Sequence, residues 1–195
     1  MSDDNMLALP VCALCGGVAA RCPCPSVDLG IMPDGPYKGY ALRVCSPTTP
    51  VDVFCDGSGT TGDKPCGAGI VFERDGFVLF ESAVSLGLGT NNVAEVGAIG
   101  IALALLQEAY SKQVLARIHT DSQWALDASA PDCTWKLQDG PAQRFALRVR
   151  QLRAEMPRVT FHKVKGHSGV PGNERADELA NIARLRPISM ARQGQ

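Results

Sequence analysis

The stretch from residue 91 to residue 110 constrains the fold of this chain more than any other. Its apolar positions, among them Ile99, Leu103 and Leu106, recur at helical spacing. A helix of this pattern has to be buried, and Thr90 or Asn91 can cap its start. It separates two kinds of sequence. Before it come three β-rich runs: residues 51–56, then 67–73 and 77–86, the last two joined by the turn signal Arg74-Asp75-Gly76. Residues 57–62, Gly-Ser-Gly-Thr-Thr-Gly, read as a turn after the first strand. After the helix, strand and helix alternate. Residues 114–120 read as a strand, 122–128 as a short helix and 130–140 as irregular. Residues 141–156 read as a helix with Pro in its first turn, 158–164 as a strand and 173–184 as a helix. Three strands in sequence followed by this alternation predict an α/β fold, a mixed sheet with helices on its faces. The main domain is expected over residues 51–186, after a Cys-rich N-terminal segment of residues 1–50 and before a tail at 187–195.

Composition narrows what such a sheet can serve. Of the 195 residues, 45% are hydrophobic, enough for a packed core. The formal net charge is −1. Proteins that hold nucleic acid by bulk electrostatics are basic, so any such contact here has to use a local patch or metal ions. No apolar run reaches the roughly 18 residues of a membrane span. Residues 1–5 are acidic and lack the basic-then-apolar pattern of a signal peptide. A cytoplasmic location, a monomeric state and no membrane partner are expected. In that compartment the eight cysteines are reduced thiols or metal ligands rather than disulfides.

Residues 1–50 are rich in Pro, Gly and Cys and show no helical or strand period. Cys12 and Cys15 form one close pair, and Cys22 and Cys24 a second. Four thiolates so spaced could hold one tetrahedral Zn2+ and let a short segment fold without a core of its own. The other reading is a disordered tail with free thiols. Residues 46–50, with two prolines, read as the linker.

Four acids stand where α/β sheets gather their ligands, at strand ends and helix starts. Asp56 ends the first strand. Glu95 lies in the first turns of the long helix, within Thr-Asn-Asn-Val-Ala-Glu. Asp121 ends the fourth strand, within Thr-Asp-Ser-Gln, and Asp177 sits about one turn into the last helix. Acids at the ends of neighbouring parallel strands lie side by side, which is unfavourable unless cations neutralise them. Hard oxygen ligands favour Mg2+, with Mn2+ as a substitute. Two such ions roughly 3.5–4 Å apart can activate a water and stabilise the leaving oxygen in phosphodiester cleavage. Taken singly, each acid is more often a solvated turn residue or a helix cap. His167 lies on a Gly-rich loop in Val-Lys-Gly-His-Ser-Gly-Val-Pro-Gly-Asn-Glu-Arg-Ala-Asp-Glu-Leu-Ala, residues 164–180. A mobile imidazole beside a carboxylate on a rigid helix suits hydrolytic chemistry. His119 and His162 lie in strands, carry no motif and read as structural.

These residues and their settings resemble the type 1 ribonuclease H family over about residues 51–185. Residues 164–180 resemble its last motif, and Asp56, Glu95, Asp121 and Asp177 its catalytic Asp-Glu-Asp-Asp set. The resemblance implies a ribonuclease H-like fold, with a five-stranded mixed sheet of three antiparallel and then parallel strands. It implies two Mg2+ held by the four acids, and endonucleolytic cleavage of the RNA strand of RNA/DNA hybrids to 3′-hydroxyl and 5′-phosphate ends. His167 matches the loop histidine that assists proton transfer and product departure. Asn91, Asn92 and Gln123 match positions that contact the minor groove, where the 2′-hydroxyl is displayed. Gly57 and Ser58 would reach 2′-hydroxyls, Thr90 a DNA phosphate, and Trp124 the DNA sugars. Trp135 could act likewise, with core packing the alternative for both tryptophans.

The chain departs from the family in two places. Many members carry a basic protrusion after the Asp-Ser helix, whereas residues 128–140 hold Asp132 and Asp139 against Lys136 alone. Arg144, Arg148, Arg150 and Arg153 on the next helix would compensate, or form a solvated face. Relatives that grip a DNA phosphate use an arginine two residues before Thr90, and this chain has Leu88. Two other functions compete: another nuclease on the same sheet, and a non-catalytic nucleic-acid-binding protein. Proofreading exonucleases place Asp and Glu two apart on the first strand, whereas Asp56 is followed by Gly57 and Ser58. A binding protein would not need all four acids.

Overall fold

The computed structural model describes residues 49–110, 112–134 and 140–185. Five strands form one mixed sheet in the order β3-β2-β1-β4-β5. They are β1 Val51–Ser58, β2 Pro65–Arg74, β3 Phe77–Leu88, β4 Ala116–Thr120 and β5 Val159–Lys163. β1 is antiparallel to β2 and parallel to β4, β2 is antiparallel to β3, and β4 is parallel to β5. The helices among the described residues are α1 Asn91–Ala109, α2 Gln123–Ala128, α3 Pro141–Glu155 and α4 Pro171–Leu185. The expected α/β architecture is the one observed.

The two faces of the sheet bury different partners. Val51, Val53 and Cys55 of β1 join a large core with Ile99, Leu103 and Leu106 of α1 and Val149 and Leu152 of α3. Phe54, of the opposite parity, packs on the other face with Ala176 and Leu179 of α4. The two-residue period of the strand does this sorting. Each fully buried Ile or Leu contributes on the order of 1.5–3 kcal/mol relative to exposure. α4 comes very close to β2: a Cβ on Gly69 would collide with the Ala176 carbonyl.

α1 lies between the sheet and α3, which accounts for its being apolar on nearly every side. By length and composition it is apolar enough to cross a membrane, a correction to the expectation that no stretch is long enough. Burial of 67% of that apolar window inside the protein marks it as a core helix.

Several boundaries differ from expectation for physical reasons. β1 continues through Gly57 and Ser58, which pair with Ala68 and Gly67 of β2, so these residues are strand and not turn. The ladder to β2 overrides the weak strand preference of Gly. α4 begins at Pro171, where a proline's fixed φ suits a first helical turn. Arg150 and Arg153 are not a free cationic face. Arg150 donates from Nε and Nη2 to the Ala128 carbonyl at 3.1 and 2.6 Å, and Arg153 from Nη1 to that of Ser129 at 3.4 Å. The Arg153 guanidinium also lies 3.8 Å over the Phe161 ring. Both arginines thus cap the C-terminal end of α2. Cys12, Cys15, Cys22 and Cys24, Trp135 and the 187–195 tail lie outside the described residues.

Candidate active site

The register of the sheet assembles the site. Phe54 of β1 lies level with His119 of β4 in the parallel ladder. Two residues further on come Asp56, within β1, and Asp121, immediately after the end of β4. Glu95 reaches the same place from the second turn of α1. That helix starts here because Thr90 caps it, its Oγ1 accepting from the Val93 N–H at 3.3 Å. One carboxylate oxygen from each of Asp56, Glu95 and Asp121 lies within 4.8 Å of the others. Asp177, half-buried in the second turn of α4, stands outside that trio but is felt by both Asp56 and Glu95.

The electrostatics are those of acids forced together. Asp56 and Glu95 are only 6% and 7% exposed. Burial, then repulsion from Glu95, Asp121 and Asp177, raises the Asp56 carboxyl to about 8, against a backbone hydrogen bond from Gly57. Burial, with Asp121 and more weakly Asp177 adding to it, raises Glu95 to about 7; the Asn91 amide and Gly57 backbone oppose it. Glu95 Oε1 accepts from Asn91 Nδ2 at 3.2 Å, while Oε2 is buried with no hydrogen-bond partner among the described residues. An orphaned buried carboxylate oxygen among further carboxylates is costly for a protein alone and suited to a hard divalent cation. The donor set fits Mg2+ or Mn2+ in type. Behind the site, Cys55 is fully buried; burial and then Glu95, Asp56 and Asp121 push its thiol well above the ordinary range.

The 164–170 loop closes one side. Gly166 runs so near Asp121 that a Cβ there would strike Asp121 Oδ2. Lys163 Nζ donates to the Asp121 carbonyl at 2.7 Å, and Val164 N–H to that of Thr120 at 3.0 Å. His167 follows with φ +49° and a side chain 80% exposed. Its Nδ1 is 3.9 Å from Glu174 Oε2, and Glu174 Oε1 accepts from the Gly169 N–H at 3.2 Å. Glu174 is thus the clasp of this loop, a part the sequence reading did not single out.

The remaining candidates divide. Thr90, Asn91, Asn92 and Gln123 are exposed. Asn91 is not the cap: its Oδ1 accepts from the Gly59 N–H at 3.1 Å, so it ties the loop after β1 to Glu95. Gln123 donates to Asp127 Oδ1 at 2.7 Å. Gly57 is buried against α1, while the Ser58 hydroxyl is engaged with Asn181 and Arg184. Trp124 is half-buried and packs on the large core. His119 stacks on Phe54 at 4.7 Å and on His162 at 5.4 Å, and its Nε2 is 2.7 Å from Asp52 Oδ1.

The sequence matches the family model described as RNase H over residues 48–184. It is 35% identical over 139 residues to the ribonuclease H of Nitratidesulfovibrio vulgaris, covering 67% of this chain and 86% of that protein. It is 32% identical over 151 residues to the ribonuclease H of an Enterobacter species, covering 72% and 93%. Among solved structures, RNase H1 from the archaeon Halobacterium salinarum aligns with a TM-score of 0.56 at 28% identity, over 68% of this chain and 96% of that one. LC11-RNase H1, solved in complex with an RNA/DNA hybrid, aligns with a TM-score of 0.56 at 28% identity, over 69% and 96%.

Proposed function

The chain belongs to the RNase H family, and from that premise we propose that it is an endoribonuclease that hydrolyses the RNA strand of RNA/DNA hybrids. The observation that carries this reading is the meeting of Asp56, Glu95 and Asp121, from three separate elements, at one buried point. Two divalent cations bound by these acids and Asp177 would supply an activated water and stabilise the leaving 3′ oxygen, giving 5′-phosphate and 3′-hydroxyl ends.

The chain's own residues do the rest. Burial of Asp56 and Glu95 shields these acids from water, so a bound cation would meet them in a low-dielectric setting. Asn91 and Gly57 keep Glu95 facing the site. His167, exposed and carried on a loop anchored beside Asp121, accepts and releases protons at its imidazole. Thr90, Asn91, Asn92 and Gln123 present exposed hydroxyl and amide groups. Groups of this kind exchange hydrogen bonds with 2′-hydroxyls and phosphates in a minor groove. With Arg150 and Arg153 committed to α2, phosphate attraction on that side is left to Arg144 and Arg148.

The test is digestion of an end-labelled RNA/DNA hybrid with Mg2+, beside duplex RNA, duplex DNA and an EDTA control. Cleavage confined to the RNA strand of the hybrid and abolished by EDTA is expected. Cutting of duplex DNA, or an intact hybrid, would overturn the reading.

A further inference from the structure

We propose that Asn181 is the positioning residue that sets the Asp177 carboxylate for cation binding, with Ser58 and Arg184 holding Asn181 in turn. This rests on the reading that Asp177 belongs to the cation site. Asp177 is the one of the four acids not drawn into the tight trio, and it is carried by a different face-covering element, α4. A half-buried carboxylate on a helix has rotamer freedom unless something restrains it. Asn181 lies one turn later on the same face of α4. Its Nδ2 donates to Asp177 Oδ1 and to the Asp177 carbonyl, both at 3.0 Å. Among the described residues no hydrogen bond is made to Asp177 Oδ2, which stays available as a ligand.

The direction of the Asn181 amide is fixed by the carboxylate it faces. An ionised carboxylate can only accept, so Nδ2 has to face Asp177. Asn181 Oδ1 then points to Ser58, whose hydroxyl donates to it at 2.8 Å. Arg184 Nε can only donate, and it donates to Ser58 Oγ at 2.9 Å. A flipped amide would set oxygen against oxygen at Asp177. Polarity thus runs one way, from guanidinium to hydroxyl to amide to carboxylate. Ser58 is also two residues beyond Asp56, on the same side of β1. The relay therefore fixes the helix-borne acid relative to the strand-borne one, which is what a shared cation site requires.

The experiment titrates Mn2+ into nucleic-acid-free protein, followed by calorimetry and by the electron paramagnetic resonance signal of free Mn2+. Asp177→Asn, Asn181→Ala and Ser58→Ala are compared with the parent. Asn181→Ala is expected to weaken Mn2+ binding ~10-fold, the lower end for loss of an outer hydrogen bond to a metal-holding carboxylate. The Mg2+ concentration for half-maximal cleavage should rise in parallel, with KM for hybrid at saturating Mg2+ unchanged. Alanine suits a helix interior, so folding should survive; should it not, Ser58→Ala reads the same relay from the strand, with a smaller loss of Mn2+ affinity expected. Parent-like Mn2+ binding in Asn181→Ala, or in Ser58→Ala where that variant stands in, together with weakened binding in Asp177→Asn, overturns the role of Asn181 alone. Parent-like binding in Asp177→Asn overturns the assignment of Asp177 itself, and this inference with it.

Discussion

Gly57 of β1 lies directly against the backbone nitrogen of Glu95, with no room for a methyl group between them. The strand bearing Asp56 and the helix bearing Glu95 can approach this closely because no Cβ intervenes. Gly57→Ala has to push α1 off β1 at the place where two of the acids meet. Overpacking of this kind typically costs about 1–3 kcal/mol. We expect that loss in urea unfolding, accompanied by a larger fall in kcat than in stability-matched core variants. Full activity in Gly57→Ala would show that the spacing of these two elements has slack.

Asp56→Asn and Asp121→Asn should abolish cleavage of hybrid while leaving circular dichroism unchanged, since they remove charge and almost no volume. Asp56→Asn should also be more stable than the parent in EDTA at pH 8. Relief of repulsion among buried acids is worth about 1 kcal/mol or more, roughly 3 °C in Tm for a domain of this size. A lower Tm for Asp56→Asn would mean that the ionised carboxylate has protein partners that outweigh its neighbours' repulsion.

The raised carboxyls of Asp56 and Glu95 set a sign for the pH dependence of stability without metal. Both hold protons in the folded state, to about 8 and about 7, that the unfolded chain releases near its ordinary carboxylate range. The folded state therefore binds more protons in between, and stability falls as pH rises. In EDTA, Tm should drop from pH 5 to pH 8, and less so in Asp56→Asn. Mg2+ competes with those protons, so its stabilising shift should be larger at pH 8 than at pH 5. A flat or rising Tm in EDTA over that window would contradict the picture of mutually repelling buried acids.

His167 makes few contacts and sits at φ +49°, a conformation that favours glycine. The role proposed for it is chemical. His167→Ala should lower kcat ~100-fold, the lower range for loss of a proton-transferring side chain, with KM and Tm little changed. His167→Gly should be as inactive yet slightly more stable, because glycine accepts the left-handed backbone. If either variant keeps its kcat, the imidazole is not part of the proton path.

Asp56, Glu95 and Asp121 were legible in the sequence because each lies near the end of a strand or the start of a helix and, with Asp177, the set resembles the catalytic acids of a known family; singly, none of them stood out. The alternation after residue 91 gave the parallel half of the sheet. Ser58 was harder: beside two glycines it reads as turn, and only the ladder to Gly67 makes it strand. The parts that join elements far apart in sequence left no local mark. Arg150 and Arg153 look like a solvated basic face until the carbonyl ends of α2 are seen beneath them. The link from Ser58 to Asn181 spans 123 positions, although the four-residue spacing of Asp177 and Asn181 could have been noticed. Glu174 likewise needed coordinates to be seen as the clasp of the His167 loop.

Because Phe54 and Asp56 share one side of β1 while Cys55 occupies the other, the chemistry is written in the odd–even count along a single strand. Adding or removing one residue between Val51 and Asp56 would swap the two sides without changing a single side chain. An acid would then be driven into the hydrocarbon beneath α1, and a thiol would surface among its former companions. Length variation in this protein should therefore collect in the loops that flank β1 and be excluded from the strand itself.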